Sequence, residues 1–352
     1  MLNAIVPYYG GKRSLAPEIV SELGDHRAYF EPFCGGMSVL MAKPRSRQET
    51  VCDMNGQLMN LAMVMRCPRY GPRLYRRLRR VLSSEPEYLA AYASSDTTGT
   101  HTCDFGELSL EKAFNYFIKS WLGRNGLVGS AKAGKSFCVR YTPGGGSTAT
   151  RWKHAVNSIP AFRRRLRDVT ILCRDAFDVI ASIQDVPGVA IYCDPPYLEK
   201  SGKYIHDFSW EDHGRLAELL RRFRHARVVV SYYDHPRLCT LYPCWEKRTF
   251  QRHKNLSNQG QYEFAGTKCT EILLLNGPSL CQQLDVVVTR EYQVELSSPA
   301  IGIQNVVYQC DSLDEAREEA RAWQKLQVID SVLVCRNGQT VEEFPPAKKG
   351  VS

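Results

Sequence analysis

The sequence predicts an α/β fold with a doubly wound, Rossmann-like sheet, a helical and loop-like insertion, and a small C-terminal α+β module. Short apolar runs that are typical of buried parallel strands alternate with helical segments. A long helical and loop-like stretch separates the second run from the third, and after residue 278 the composition changes again. The alternation favours a doubly wound sheet, and the separation predicts an inserted domain.

The predicted strands of the sheet are short and rich in β-branched and aromatic residues. They lie at residues 28–33, 50–53, 169–173, 189–194, 227–231 and 269–275. Strands that are buried on both faces carry such continuous apolar runs. We therefore assign residues 1–62 and 166–278 to one sheet domain.

The insertion at residues 63–165 is first helical and then loop-like. Apolar residues at helical spacing predict a helix at residues 110–122, with Phe114, Phe117, Ile118, Trp121 and Leu122 as its buried face. The glycine-rich stretch after it contains Lys132, Lys135 and Arg140. A flexible basic segment of this kind suits a nucleic-acid backbone, and a surface loop without that role is the alternative.

The C-terminal module is predicted at residues 279–352. Strand-like segments at residues 286–294 and 305–310 precede a helix that begins with a capping box of Ser312 and Glu315. Two further strands flank Asn337-Gly338, which is a strong signal for a two-residue hairpin turn. The proline- and lysine-rich end predicts a disordered tail, and nothing in the module indicates its role.

The net charge of +9 is unevenly distributed, with two clusters of arginines. They are Arg66, Arg69, Arg73, Arg76, Arg77, Arg79 and Arg80 in the first, and Arg163, Arg164, Arg165 and Arg167 in the second. Clusters of one sign suit a phosphate-rich partner, and solvated helix faces are the equally good alternative.

The cysteines and the apolar runs indicate the compartment. The 13 cysteines include no C-x-x-C pair, and those at residues 34, 52, 173, 193, 269 and 335 lie in or beside apolar stretches, so we expect no zinc and no other metal. The first residues lack the charged start and apolar core of a signal peptide. No run reaches the roughly 18 apolar residues of a membrane span. We expect a cytoplasmic protein in a reducing compartment.

The most specific motif is Asp194-Pro195-Pro196-Tyr197, directly after the predicted strand at 189–194. Ligands of doubly wound sheets bind at the carboxyl ends of strands. There the Asp194 carboxylate accepts one N–H of a planar amino group, the Pro195 carbonyl accepts the other, and Tyr197 stacks on the ring. With both hydrogens held, the nitrogen lone pair points out of the ring plane, toward an electrophile. A strand-ending turn closed by two prolines is the structural alternative.

A second group of residues suits a nucleotide-like cofactor. Gly35 and Gly36 follow Glu31 and Phe33 at the end of the first predicted strand and permit close approach of a ligand. Asp53 ends the next strand, where a carboxylate can bind both ribose hydroxyls of an adenosine, and capping of the next helix is its alternative role. The turn Tyr8-Tyr9-Gly10-Gly11-Lys12 presents a lysine to the polar end of the same ligand, or is a surface turn.

Residues 129–136 match the P-loop pattern G-x-x-x-x-G-K-[ST]. A P-loop follows a strand and begins a helix whose amino end faces phosphate. Here a predicted helix precedes the pattern and a strand-like segment follows it. We therefore reject the interpretation as an ATPase. ATP hydrolysis by the protein that is lost in Lys135→Ala would contradict this choice.

Together these segments resemble the Dam-type, or D12 class, DNA adenine methylases, which include phage members. The resemblance extends from about Pro7 to Asn276. It implies transfer of a methyl group from S-adenosylmethionine to N6 of adenine in double-stranded DNA, and it makes 63–165 the target recognition domain. Tyr8 stands where Trp is common and Cys34-Gly35-Gly36 replaces Gly-Ala-Gly, so the recognition sequence is not implied.

The resemblance also assigns site residues. The implied cofactor-binding set is Tyr8, Gly11, Lys12, Glu31, Phe33, Gly35, Gly36, Asp53, Asp175, Phe177 and Asp194. The implied catalytic set is Asp194, Pro195, Pro196 and Tyr197. The resemblance places Arg124 and Asn125 near DNA, and Lys132, Lys135 and Arg140 of the basic stretch complete the predicted DNA-binding set. The adenine must leave the base stack to reach such a site, and Tyr204, Phe208 and Trp210 are further candidates for the walls of its pocket.

Several alternatives share this fold or this charge. Cytosine-N4 methylation requires an amino group to be held in the same way, and so does methylation of amino groups in RNA or of glutamine side chains. Asp at position 194 favours adenine by family resemblance. Cytosine-C5 methylation requires a cysteine nucleophile, and no Pro-Cys pair ends an equivalent strand. A non-catalytic DNA-binding module is a further alternative, but it does not explain the positions of Asp194 and Asp53. A cognate restriction endonuclease is a further expected partner.

Overall fold

The structure is a computed structural model, and it divides into two units, Met1–Leu280 and Cys281–Ser352. It describes residues 4–8, 10–94, 107–123, 136–139, 147–197, 208–253, 268–281, 292–298, 303–310, 313–324, 331–336 and 339–344.

The first unit is built on a seven-stranded sheet. Its strands are β1 (Ala28–Glu31), β2 (Gln48–Cys52), β3 (Val169–Leu172), β4 (Val189–Cys193), β5 (Arg227–Tyr233), β6 (Glu246–His253) and β7 (Lys268–Leu275). The strand order is β3-β2-β1-β4-β5-β7-β6. The first five strands in this order are parallel, and β7 runs antiparallel to both β5 and β6. The predicted doubly wound sheet is confirmed.

Each predicted strand is present, with ends within two residues of the expected ones. β6 was not predicted because Glu246, Lys247 and Arg248 make it polar rather than apolar. Its position explains this composition. β6 lies at the edge of the sheet, where one side of the strand has no neighbour to pack against.

Helices cover both faces of the sheet and fix the direction of each strand. They are α1 (Ala16–Leu23), α2 (Ser38–Ala42), α3 (Gly56–Arg66), α4 (Gly71–Leu78), α5 (Glu85–Ala93), α6 (Leu110–Leu122), α7 (Thr148–Leu166), α8 (Ala176–Ser182), α9 (Trp210–Arg221) and α10 (Leu238–Leu241). One hydrophobic cluster contains residues of α1 to α7, and the other contains residues of α8 to α10. β4 lies between them with all five residues buried.

The predicted helix at residues 110–122 is confirmed as α6. Ser109 caps its amino end by accepting a hydrogen bond from the Lys112 amide at 3.1 Å. Phe117 and Trp121 are buried as expected, and both belong to the cluster that includes β1 and β2 residues. The helices between β2 and β3 thus pack directly on the sheet, and their status as a separate domain stays a prediction.

The second unit contains a four-stranded antiparallel sheet and one helix. Its elements are β8 (Tyr292–Ser298), β9 (Ile303–Cys310), α11 (Leu313–Gln324), β10 (Ser331–Arg336) and β11 (Gln339–Phe344), with strand order β11-β10-β8-β9. The described part of the first strand is Tyr292–Ser298, and the predicted start at residue 286 is not tested. Residues 282–291, the Asn337-Gly338 turn and the predicted tail lie outside the described residues.

Within the described ranges, every helix is too short or too polar to cross a bilayer. The cytoplasmic location stays a prediction.

Candidate active site

One cavity of about 440 Å³ lies at the carboxyl ends of the parallel strands. It lies where ligands of doubly wound sheets bind, and its volume falls within the roughly 300–1,000 Å³ of small-molecule sites. All eleven residues of the predicted cofactor-binding set line it: Tyr8, Gly11, Lys12, Glu31, Phe33, Gly35, Gly36, Asp53, Asp175, Phe177 and Asp194. The structure therefore brings together segments that are far apart in the sequence.

The glycine segment after β1 is packed tightly against the N-terminal segment. Gly35 has a φ of 43°, and a Cβ atom there would lie 3.0 Å from the Tyr8 ring. A Cβ atom on Gly36 would lie 2.8 Å from the backbone oxygen of Val6. Glycine at both positions lets Tyr8 reach the cavity wall.

Asp53 fixes this segment from the neighbouring strand. One carboxylate oxygen accepts from the Gly35 amide and the other from the Asn55 amide, both at 2.9 Å. The helix-cap alternative for Asp53 is wrong because Asn55 caps α3, accepting from the Leu58 amide at 3.1 Å. The Asp53 carboxylate thus lines the cavity at the end of β2.

Aromatic rings form the apolar wall of the cavity. Phe177 and Phe208 stack with ring centroids 5.8 Å apart and planes 7° apart. Phe33 meets Phe208 edge-on at 6.0 Å. Asp175 caps α8 by accepting from the Phe177 amide at 2.7 Å, which fixes the backbone that carries this ring. The wall can hold a flat heterocycle, and Asp175 places a carboxylate beside it.

Asp194 follows β4 and is held by groups from two other segments. The Lys12 ammonium and the Ser231 hydroxyl both donate to its Oδ1 atom at 2.9 Å. Burial raises the pKa of Asp194, and the positive charge of Lys12 and the Ser231 hydroxyl act in the opposite direction. The two donors favour the ionised form of a carboxylate that burial disfavours.

Lys12 connects Asp194 with a second carboxylate. Its ammonium lies 3.3 Å from Glu271 Oε1 and donates to the Gly10 carbonyl at 2.7 Å. The Tyr197 hydroxyl donates to the same Glu271 oxygen at 3.0 Å, and the Tyr197 ring lies 4.8 Å from the ammonium. These contacts fix the plane of the ring that the sequence assigned to base stacking.

Glu31 lies at the end of β1, with a side chain that is buried but borders the cavity. Its Oε2 atom accepts from the Tyr29 hydroxyl at 2.9 Å and from the Leu40 amide at 3.2 Å. Burial raises the pKa of Glu31 to about 8, although both hydrogen bonds lower it. The structure thus places a carboxyl group that is easily protonated near neutral pH next to the glycine segment.

The sequence analysis missed three polar residues of this site. Ser231 and Glu271 hold Asp194 and Lys12, and the Tyr192 hydroxyl lies 2.9 Å from that of Ser231. Ser231 lies within the apolar run of β5, and a polar residue in such a run is a signal that can be recognised from sequence. Glu271 follows Thr270 in β7 and gives no such signal.

The remaining predicted site residues differ in whether they lie at the cavity. Pro196 and Phe208 line the cavity, and the Tyr197 ring contacts the Lys12 ammonium. Trp210 is not among the lining residues, and its ring lies 3.4 Å from the Arg237 guanidinium. Tyr204, the predicted DNA-binding residues Arg124, Asn125, Lys132, Lys135 and Arg140, and most of the P-loop-like segment lie outside the described residues.

The cavity and the fold are those of the doubly wound enzymes that bind a small molecule at the carboxyl ends of their strands. The chain belongs to the D12 class N6 adenine-specific DNA methyltransferase family, whose sequence profile matches residues 8–254. It is therefore an adenine-specific DNA methyltransferase, as the resemblance predicted.

Relatives support this assignment along most of the chain. A DNA adenine methylase of Vibrio cholerae is 23% identical over 296 residues, covering 80% of this chain and 98% of the relative. The retron Ec67 DNA adenine methylase of Escherichia coli is 27% identical, covering 78% and 92%. The type II methyltransferase M.MjaIII of Methanocaldococcus jannaschii is 26% identical, covering 65% and 84%.

Proposed function

We propose that the protein transfers a methyl group from S-adenosylmethionine to N6 of an adenine turned out of duplex DNA, and that Asp194 to Tyr197 hold the adenine. The observation that carries the proposal is the position of Asp194. Its carboxylate borders the same cavity as Asp53 and already accepts a hydrogen bond from a nitrogen donor, the Lys12 ammonium, at 2.9 Å. Lys12 and Ser231 both donate to Oδ1, so the target amine would donate to the other carboxylate oxygen, Oδ2.

The cavity has the chemistry that S-adenosylmethionine requires. The cofactor, when bound, supplies an electrophilic methyl group on a sulfonium. Asp53 lies where a carboxylate accepts from ribose hydroxyls, at the end of the strand next to the glycine segment. Phe177 and Phe33 provide apolar surface for an adenine ring, and Asp175 lies beside them. Glu31 and Lys12 offer polar partners for the amino-acid end.

Asp194 and Pro195 act on the target amine by holding its two hydrogens. A carboxylate accepts one N–H and the Pro195 carbonyl accepts the other, so the nitrogen lone pair is directed at the cofactor side of the cavity. No covalent bond to the protein is needed, because the amine itself is the nucleophile. Placing the two reactants together supplies much of the acceleration.

Tyr197 provides the surface on which the turned-out base stacks. Turning a base out of the duplex costs a few kcal/mol of pairing and stacking. The Tyr197 ring is held on one side by Tyr233, whose ring centroid lies 4.4 Å away, and its hydroxyl is fixed by Glu271. A ring that is already oriented loses little entropy when the base arrives.

The other expected partners extend this proposal. Double-stranded DNA follows from the family and from the basic charge of the chain. The predicted absence of a metal from the reaction fits a transfer in which the amine needs no activation by a Lewis acid. A cognate restriction endonuclease and a phage origin stay predictions.

Two variants test the proposal in one experiment. Asp194→Ala is expected to abolish methyl transfer to adenine while duplex DNA still binds, because Asp194 holds the amine. Asp53→Ala is expected to weaken binding of S-adenosylmethionine because it removes the proposed acceptor for the ribose. Calorimetry measures cofactor binding, and mass spectrometry of digested DNA identifies N6-methyladenine. Retained transfer in Asp194→Ala contradicts the proposed amine clamp, and an unchanged cofactor dissociation constant in Asp53→Ala contradicts the ribose assignment.

A further inference from the structure

A row of arginines covers the outer side of α4, and the proposed reaction does not use it. Arg73 and Arg76 lie in the helix, Arg69 precedes it and Arg80 follows it. Arg73 and Arg76 lie three residues apart on one side of α4, Arg69 and Arg80 flank the helix in the adjoining turns, and all four side chains are exposed. The buried Leu74 lies on the other side of the helix.

The end of α7 extends this row. The Val81 carbonyl accepts from the Trp152 indole nitrogen at 3.0 Å, and a Cβ atom on Gly71 would lie 3.3 Å from Cδ of Arg163. α4 and α7 therefore run antiparallel, and Arg163 lies over the start of α4. Arg167 follows Arg163 by four residues and is exposed. We call these residues the arginine surface: Arg69, Arg73, Arg76, Arg80, Arg163 and Arg167.

The arginine surface begins at the edge of the sheet opposite the cavity. α7 ends at Leu166, and β3 begins three residues later, at Val169. The Arg163 end of the surface is therefore at the amino ends of the parallel strands, whereas the cavity is at their carboxyl ends. A five-residue strand such as β2 is about 17 Å long, which separates the two edges.

The charge of the arginine surface is uncompensated. In the part of the chain that the structure describes, no carboxylate lies within salt-bridge distance of these six guanidinium groups. Neighbouring arginines differ: Arg77 pairs with Glu111 at 2.7 Å, and Arg45 pairs with Asp168 at 2.9 Å. Like charges placed together repel one another, and an anionic partner would offset that repulsion.

We propose that the arginine surface binds the sugar-phosphate backbone of duplex DNA outside the target base, a proposal that rests on the proposed function for the identity of the polyanion. Guanidinium groups bind phosphate with two parallel hydrogen bonds. Arg73 and Arg76 are three residues apart, which is a rise of about 4.5 Å along α4, and each DNA strand offers a charge about every 3.4 Å along its axis. A row of arginines on a two-turn surface helix can follow one strand, and it provides no element for insertion into a groove. The contact is therefore to phosphates and independent of base sequence.

The test compares two double variants with the same loss of charge. Arg73→Gln/Arg76→Gln changes the arginine surface. Arg27→Gln/Arg224→Gln is the control because both arginines are exposed and lie outside that surface. Binding is measured over a range of salt concentrations with a duplex of about 36 base pairs, which is about 120 Å long, and methyl transfer is also measured on a duplex of about 12 base pairs that is centred on the target.

The slope of log affinity against log salt is expected to fall by about 1.8 in the arginine-surface variant, because each lost phosphate contact removes about 0.9. The control slope and the methyl-transfer rate on the short duplex are expected to match the wild type. An unchanged slope in the arginine-surface variant, or an equal change in the control, overturns the proposal. The slope does not require catalysis, so a failure of the proposed methyl transfer is distinguishable from a failure of this proposal.

Discussion

Removal of the Ser231 hydroxyl tests whether Asp194 is held in its ionised form by its neighbours. Ser231 donates to Asp194 Oδ1 at 2.9 Å and is fully buried, so no water replaces the lost donor without rearrangement. A hydrogen bond to a charged group contributes about 1.5–3 kcal/mol. Ser231→Ala is therefore expected to lower kcat/KM by about 10- to 150-fold at neutral pH if the full contribution reaches the transition state.

The pH dependence separates this effect from simple loss of structure. The Ser231 hydroxyl lowers the pKa of Asp194, so its removal raises that pKa further. Activity that needs the carboxylate is lost as the pH falls through that pKa. The acid limb of the kcat/KM profile is therefore expected to move to higher pH in Ser231→Ala, measured by transfer of a labelled methyl group to duplex DNA.

Tyr192→Phe is the matched control for this experiment. It removes the other hydrogen bond of Ser231, at 2.9 Å, without touching Asp194. Both variants are expected to lose thermal stability, but only Ser231→Ala is expected to move the acid limb, and Ser231→Thr is expected to restore it. An acid limb that is the same in Ser231→Ala and wild type refutes the role of this hydroxyl.

Two further predictions concern Glu31 and Gly36. Because burial raises the folded-state pKa of Glu31 from its usual 4.5 to about 8, the folded state binds an extra proton, and stability falls as the pH rises through this window. Denaturant unfolding of Glu31→Gln should show a gain relative to wild type that grows with pH; a constant difference would contradict the assignment. Gly36→Ala places a Cβ atom 2.8 Å from Val6 backbone oxygen and is expected to cost about 1–3 kcal/mol and weaken cofactor binding. Gly214→Ala, with open space around its Cβ atom, is the control, and equal melting temperatures for the two variants would refute the close-packing argument.

The central strands and the cavity residues were predictable because their signals are local. Each parallel strand is a short apolar run, and Asp53 and Asp194 each follow such a run directly. A doubly wound sheet brings the carboxyl ends of its strands to one edge, so the two carboxylates had to lie near each other. β6 lacked this signal because an edge strand is buried on fewer sides, and its polar sequence resembles a loop.

The roles of Ser231 and Glu271 were not predictable because they depend on strand register. Cys193 pairs with Val230, which places the next residues, Asp194 and Ser231, beside each other. Glu271 pairs with Tyr233 across an antiparallel ladder that only the folded sheet defines. The sequence shows a polar residue in each strand, but the partner of each one is set by pairing between distant segments.

The register has a consequence for the chemistry of the site. Lys12 lies between Asp194, at 2.9 Å, and Glu271, at 3.3 Å, so these three groups carry an excess of one negative charge when ionised. The target amine gains positive charge as it attacks the methyl group, and fixed negative charge beside it stabilises that change more than it stabilises the neutral amine. In the proposed transfer, Glu271, which the sequence alone did not identify, supplies the charge that Lys12 would otherwise cancel at Asp194.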